Sequence, residues 1–143
     1  MPQMWFNPLV RAILRSPLHG LISANTMLVT YKGSKSGAAY TLPVNYLRQG
    51  DAFTVVSMRS RLWWRSLRRS PMVGLLLQGK AQQAMASVVE QPQAVAEALT
   101  RYVQQAPQLG RYLGIALDAQ GNPLSEELDR AASQRVVISL RPL

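Results

Sequence analysis

Three strand-like runs crowded into residues 26–58 constrain this chain more than any other feature. Thr26 to Tyr31 is the first. Tyr40 to Leu47 is the second, alternating Tyr40, Leu42, Val44 and Tyr46 against Thr41, Pro43, Asn45 and Leu47 with the two-residue period of a strand. Ala52 to Met58 is the third. Glycine-bearing turns join them, GSKSG at residues 33–37 and Gln49-Gly50-Asp51. Connections this short permit only antiparallel pairing, because a parallel crossover needs a dozen residues or more.

The rest of the chain extends that pattern. LWWRSLRRS, residues 62–70, reads as a short helix stopped before Pro71. Met72 to Leu77 and a stretch within Ala81 to Val89 read as two further strands. Pro92 opens a helix that places Val95, Ala98, Leu99, Tyr102 and Val103 on one face and Glu97 with Arg101 outside; Pro107 ends it. A DAQGNP loop, an acidic helix from Ser125 and a last strand, Arg135 to Leu140, follow. Upstream, Asn7-Pro8 is a capping signal for a helix with Leu9, Val10, Ile13 and Leu14 on one face and Arg11 and Arg15 on another. This helix, within residues 1–22, either packs on the domain or rests with Trp5 and Phe6 on a membrane surface through residues 4–15. Six short strands with few helices predict an α+β, mainly β chain: one antiparallel barrel or strongly curled sheet with flanking helices, a single domain over residues 1–143.

Charge is distributed unevenly. Residues 1–89 hold eleven of the sixteen Lys and Arg against one acid, Asp51, a balance of +10; the remainder holds five bases and six acids, a balance of −1. A field of this kind draws phosphates, carboxylates, nucleic acid or an anionic membrane. The apolar runs are too short and too polar to span a bilayer, and Arg11 and Arg15 interrupt the N-terminal one. The expected location is cytoplasmic, with membrane association as the alternative.

The side chains offer little acid–base machinery of their own. Without cysteine there is no thiolate nucleophile, and one histidine, His19, excludes a multi-histidine metal site, so no metal is expected. Paired carboxylates would have to come from Glu126, Glu127 and Asp129, which suit the solvated N-terminal face of a helix. An enzyme built this way must borrow its hard step from a bound cofactor.

GSKSG is the natural place to hold one. Two glycines let backbone N–H groups converge on an anion, Lys35 adds charge, and Ser34 and Ser36 add donors without bulk; an ordinary glycine turn is the competing reading. The second strand's Thr41, Pro43 and Asn45 make an unusual buried face but a reasonable ligand wall, and Pro43, lacking an N–H, belongs at a sheet edge or bulge. RSRLWWRSLRRS, residues 59–70, puts five arginines around a tryptophan pair. At α-helical spacing Arg61, Arg65, Arg68 and Arg69 share one face, with Trp63 and Leu67 on the core side.

GSKSG, TLPVNYLRQGD, VVSMRS and WWRSLRRSPMVGLLLQGK, in that order, resemble the deazaflavin-dependent nitroreductase and quinone reductase family of the split β-barrel flavin-binding superfamily, over roughly residues 16–89. The resemblance implies a six-stranded antiparallel split barrel that binds coenzyme F420, with FMN the alternative, and passes a hydride to a quinone- or nitro-type small-molecule acceptor. It maps the phosphate or anionic tail onto Gly33, Ser34, Lys35, Ser36 and Gly37. Pro43 and Asn45 fall beside the ring system, Ser57, Met58 and Arg59 at the headgroup, and Trp63 and Trp64 along the flank. It names no catalytic group; Ser57 is a candidate donor to the acceptor's oxygen. Such a protein is a monomer or a homodimer. The rival readings are a flavin-, deazaflavin- or haem-binding protein without turnover, and a basic nucleic-acid-binding module with the tryptophans as stacking platforms.

Overall fold

The glycine turns do fold back into antiparallel ladders. A computed structural model describes residues 26–33 and 37–143; the helix expected within residues 1–22, the 4–15 surface, His19, and Ser34, Lys35 and Ser36 lie outside those residues. Among the described residues seven strands form one sheet: β1 Thr26–Lys32, β2 Ala39–Asn45, β3 Leu47–Gln49, β4 Ala52–Met58, β5 Met72–Leu77, β6 Lys80–Val89 and β7 Arg135–Pro142. Their order across the sheet is β2-β1-β5-β6-β7-β4-β3. A 3-10 helix, Trp63–Arg68, follows β4, and helices α1 Pro92–Gln105, α2 Gly110–Leu113 and α3 Ser125–Gln134 precede β7.

The strand count corrects the sequence reading from six to seven. Residues 40–47 carry one continuous alternation, yet Tyr46 divides them: β2 pairs with β1, while β3 pairs with β4 at the other end of the strand order. Alternation records which way side chains point and is silent about which neighbour supplies the hydrogen bonds. The partner therefore changes without any break in pattern.

The chain divides into two units. One takes the described residues up to Val55, Leu62–Val88 and Ile138–Leu143; the other takes Val56–Arg61 and Val89–Val137. In the first, Met27, Val29, Val73, Leu75, Trp64 and Leu67 are buried, and the 3-10 helix lies against β1. In the second, α1 buries Val95, Leu99, Tyr102 and Val103, an i, i+4, i+7, i+8 stripe, and packs on α3, which buries Ala131 and Ala132. Pro92 sits in the first turn of α1, where its missing N–H would have no helical partner anyway. The DAQGNP loop is closed locally by the Asp118 carboxylate, whose Oδ1 accepts from the Gln120 and Asn122 N–H groups, both at 2.9 Å.

Candidate functional site

The first unit contains the glycine turn. β1 and β2 pair in register from Thr26–Asn45 to Lys32–Ala39. Gly33 N–H donates to Ala38 O at 2.8 Å, and Gly37 N–H donates back to Gly33 O at 3.1 Å. Both glycine donors are thus spent closing the turn. Gly37 adopts φ +70°, the left-handed region that glycine enters at least cost.

Aromatic rings gather where the two strands approach Gly33. Tyr31 and Tyr40 are cross-strand partners with ring centroids 5.7 Å apart, and Tyr31 lies 5.9 Å from Trp63. These rings, with Val29, Leu42, Met27 and Val44, occupy one face of the β1–β2 ladder. The other face carries Thr26, Leu28 and Thr30 opposite Asn45, Pro43 and Thr41. Here Thr30 Oγ1 and Thr41 Oγ1 share a hydrogen bond of 2.8 Å, and Thr26 Oγ1 donates to Asn45 Oδ1 at 3.0 Å. Pro43 and Asn45 are exposed. Since β2 ends the strand order, Pro43 sits on an edge strand, where a missing donor is tolerated. Thr26 thus holds the Asn45 side-chain oxygen.

The tryptophans are not a surface platform. Trp63 is 6% exposed and Trp64 1% exposed, so neither ring can stack on a base. Their segment is a 3-10 helix, with Arg65 N–H donating to Leu62 O and Arg69 N–H to Ser66 O. In 3-10 geometry residues three apart eclipse one another. The arginine face expected at α-helical spacing therefore splits: Arg65 and Arg68 align, and Arg69 falls a third of a turn away. The most buried pair is correspondingly Trp64 with Leu67, rather than Trp63 with Leu67. Arg65 and Arg68 place their guanidinium carbons 5.5 and 5.0 Å from the Trp64 ring centroid.

Ser57, Met58 and Arg59 belong to the second unit. Ser57 is buried and Met58 exposed. Arg59 is a clamp: its Nη2 donates to Glu90 O at 2.6 Å and Arg135 O at 3.0 Å, while its backbone N–H donates to Gln134 O at 2.8 Å. Sequence reading placed this guanidinium at a headgroup. The carbonyls it holds come from residues 31 and 76 positions away, a distance no local pattern reveals.

Comparison with known proteins supplies the family and the fold class. The family described as F420H(2)-dependent quinone reductase matches residues 15–114. The chain belongs to that family. It is accordingly a member of a group of reductases whose cofactor is coenzyme F420 and whose acceptor class is the quinones. The search of curated proteins found no match. Among solved structures, the conserved hypothetical protein Rv2991 from Mycobacterium tuberculosis is 17% identical, with a TM-score of 0.59 over 89% of this chain and 80% of that one. An F420-H2 dependent reductase, FDR-A, is 15% identical, with a TM-score of 0.52 over 81% of this chain and 94% of that one. A protein from Listeria innocua, provisionally assigned as a pyridoxamine 5'-phosphate oxidase, is 16% identical, with a TM-score of 0.55 over 94% and 93%. These likenesses establish the mainly β, α+β fold of the split-barrel class. No helix among the described residues is long and apolar enough to cross a membrane.

Proposed function

We propose that this reductase grips the anionic portion of coenzyme F420 at the Gly33–Gly37 turn and lays the ring system along Pro43 and Asn45. The observation that carries the reading is the exposed Pro43–Asn45 face on the strand that leaves that turn, with the Asn45 oxygen already tied to Thr26. Ser34, Lys35 and Ser36 supply the donors and the charge, since Gly33 and Gly37 spend theirs on the turn. The resemblance puts Trp63 and Trp64 along the flank, and Trp63 stands 5.9 Å from Tyr31. The resemblance adds Ser57 and Met58 as contacts. Arg59 acts by fixing the end of β4 rather than by touching the coenzyme.

The reduced deazaflavin supplies a hydride when bound. The chain's own part is to orient coenzyme and acceptor and to keep the anionic portion paired, so that binding energy is converted into alignment. The acceptor is a quinone. Lipid-soluble quinones would place the protein at a membrane surface, with residues 4–15 as the contact.

The test is oxidation of reduced F420 by purified protein with menadione as acceptor, and with FMN in place of F420. Turnover with F420 and not with FMN is expected, and Lys35→Ala should weaken F420 binding about tenfold, the worth of one charge-assisted hydrogen bond. Absence of both binding and turnover with F420 overturns the reading.

A further inference from the structure

The 3-10 helix turns an aliphatic side chain to solvent and keeps its rings inside. Leu62 is 68% exposed, while Trp63 and Trp64 beside it are 6% and 1% exposed. Over residues 62–68 exposure repeats at every third position: Leu62, Arg65 and Arg68 are exposed, and the residues between them are buried. The Arg65 N–H donates to Leu62 O at 3.1 Å, so the first turn already includes Leu62. In 3-10 winding residues three apart eclipse, which puts Leu62 and Arg65 on one outward face. The Arg65 guanidinium carbon stands 5.5 Å from the Trp64 ring centroid, a contact that restrains the charge at the surface.

A second observation extends the apolar part of this face. Trp63 lies 5.9 Å from Tyr31, and the Tyr31 ring lies 5.7 Å from Tyr40, which is 48% exposed. Three rings thus join the helix to the start of β2, with an exposed side chain at each end of the row. The charge is one-sided. Leu62–Val88, the stretch of this unit that contains the helix, has four Lys and Arg and no acid. The unit's one acidic side chain, Asp51, lies 4.0 Å from Arg141.

We propose that Leu62 and Arg65, with Tyr40, form a docking surface for an anionic lipid bilayer. Leucine enters the acyl boundary, tyrosine suits the headgroup level, and arginine is drawn to the lipid phosphates. The surface adds to residues 4–15. It deepens the function proposed above and rests on it, because a quinone dissolved in the bilayer would then meet the protein close to Gly33, against which Tyr40 lies. Nucleic acid is the other polyanion such charge attracts, but it gains nothing from an exposed leucine.

The decisive experiment sediments the full chain with vesicles of phosphatidylcholine, with and without phosphatidylglycerol, in the absence of coenzyme and acceptor. The wild type should bind the anionic vesicles, less so as salt rises, and not the neutral ones. Leu62→Ser should weaken partitioning about tenfold, and Arg65→Gln about fivefold. Leu143→Ser and Lys80→Gln remove a similarly exposed leucine and the same charge from the same unit, and should bind as the wild type does. Since the chain has no cysteine, Leu62→Cys accepts a single environment-sensitive label. Its emission should shift to the blue on anionic vesicles, whereas the same label at Leu143→Cys should not respond. Unchanged urea midpoints certify that the variants fold.

A wild type that ignores anionic vesicles, equal losses in the control variants, or a label at residue 62 that stays in water overturns the surface. Full binding by Leu62→Ser and Arg65→Gln also overturns it and leaves the contact to residues 4–15. A DNA duplex bound alike by the wild type and Leu62→Ser, with no vesicle binding, assigns the charge to nucleic acid instead. None of these failures touches turnover with F420, and absent turnover beside intact vesicle binding sinks the coenzyme reading alone.

Discussion

Tyr40 lies directly over Gly33: a Cβ placed at residue 33 would come within 2.6 Å of Tyr40 Cε2. The turn's backbone and the ring of the following strand are therefore fitted to each other. Gly33→Ala should displace the Tyr40 ring and break its 5.7 Å contact with Tyr31, costing about 1 kcal/mol of stability. Thermal unfolding reads the loss, and Gly33→Ala/Tyr40→Ala should show that the two changes are not additive. An additive double variant refutes the coupling.

Gly110 gives a harder clash. Its added Cβ would stand 2.5 Å from the Ile115 carbonyl oxygen, a backbone atom that cannot swing aside. Gly110→Ala should cost about 2–3 kcal/mol. Gly37→Ala meets nothing within 4 Å but must hold φ +70°, so it should cost only about 1 kcal/mol. Urea midpoints that rank these two variants the other way would contradict the packing described.

Arg59 should behave as a structural clamp. Arg59→Ala strips two backbone carbonyls of a charged donor and should lower stability by about 3 kcal/mol, with Arg59→Lys recovering part of it. The measurement is the denaturant midpoint at unchanged slope. A variant of wild-type stability whose F420 affinity alone has fallen would return Arg59 to a coenzyme contact.

Tyr102 predicts an alkaline limb. Burial raises its pKa above the ordinary 10.0, because the phenolate is disfavoured away from water. The unfolded chain then loses this proton at lower pH than the folded chain. Its contribution is complete below pH 10.0 and is lost as pH rises from there through the folded value. Tyr102→Phe should flatten this limb, seen as a smaller drop in urea midpoint between about pH 8 and pH 11. Identical drops in the two proteins would refute it.

Much of the architecture is legible in the sequence because its signals are local. β4 is read to the residue as Ala52–Met58, and α1 opens at Pro92 as capping chemistry requires. Pro43 announces an edge strand through its missing N–H. Other features could not be read this way. Trp63–Arg68 has α-helical spacing yet winds as a 3-10 helix, which changes the arginines that align. Tyr46 hides a change of strand partner, and the Gly33 and Gly37 N–H groups bond within their own turn.

By itself, then, the sequence determined the strands and their turns, the basic charge of the first 89 residues and the scarcity of acid–base side chains that makes a borrowed cofactor necessary. Only the tertiary structure decided which strand each run joins, that Arg59 holds carbonyls at Glu90 and Arg135, and that two arginines meet on one buried indole. The reason is physical: backbone propensity and side-chain period act over a few residues, whereas hydrogen-bond partners, helix winding and ring contacts are settled by chain segments distant in sequence competing for the same space.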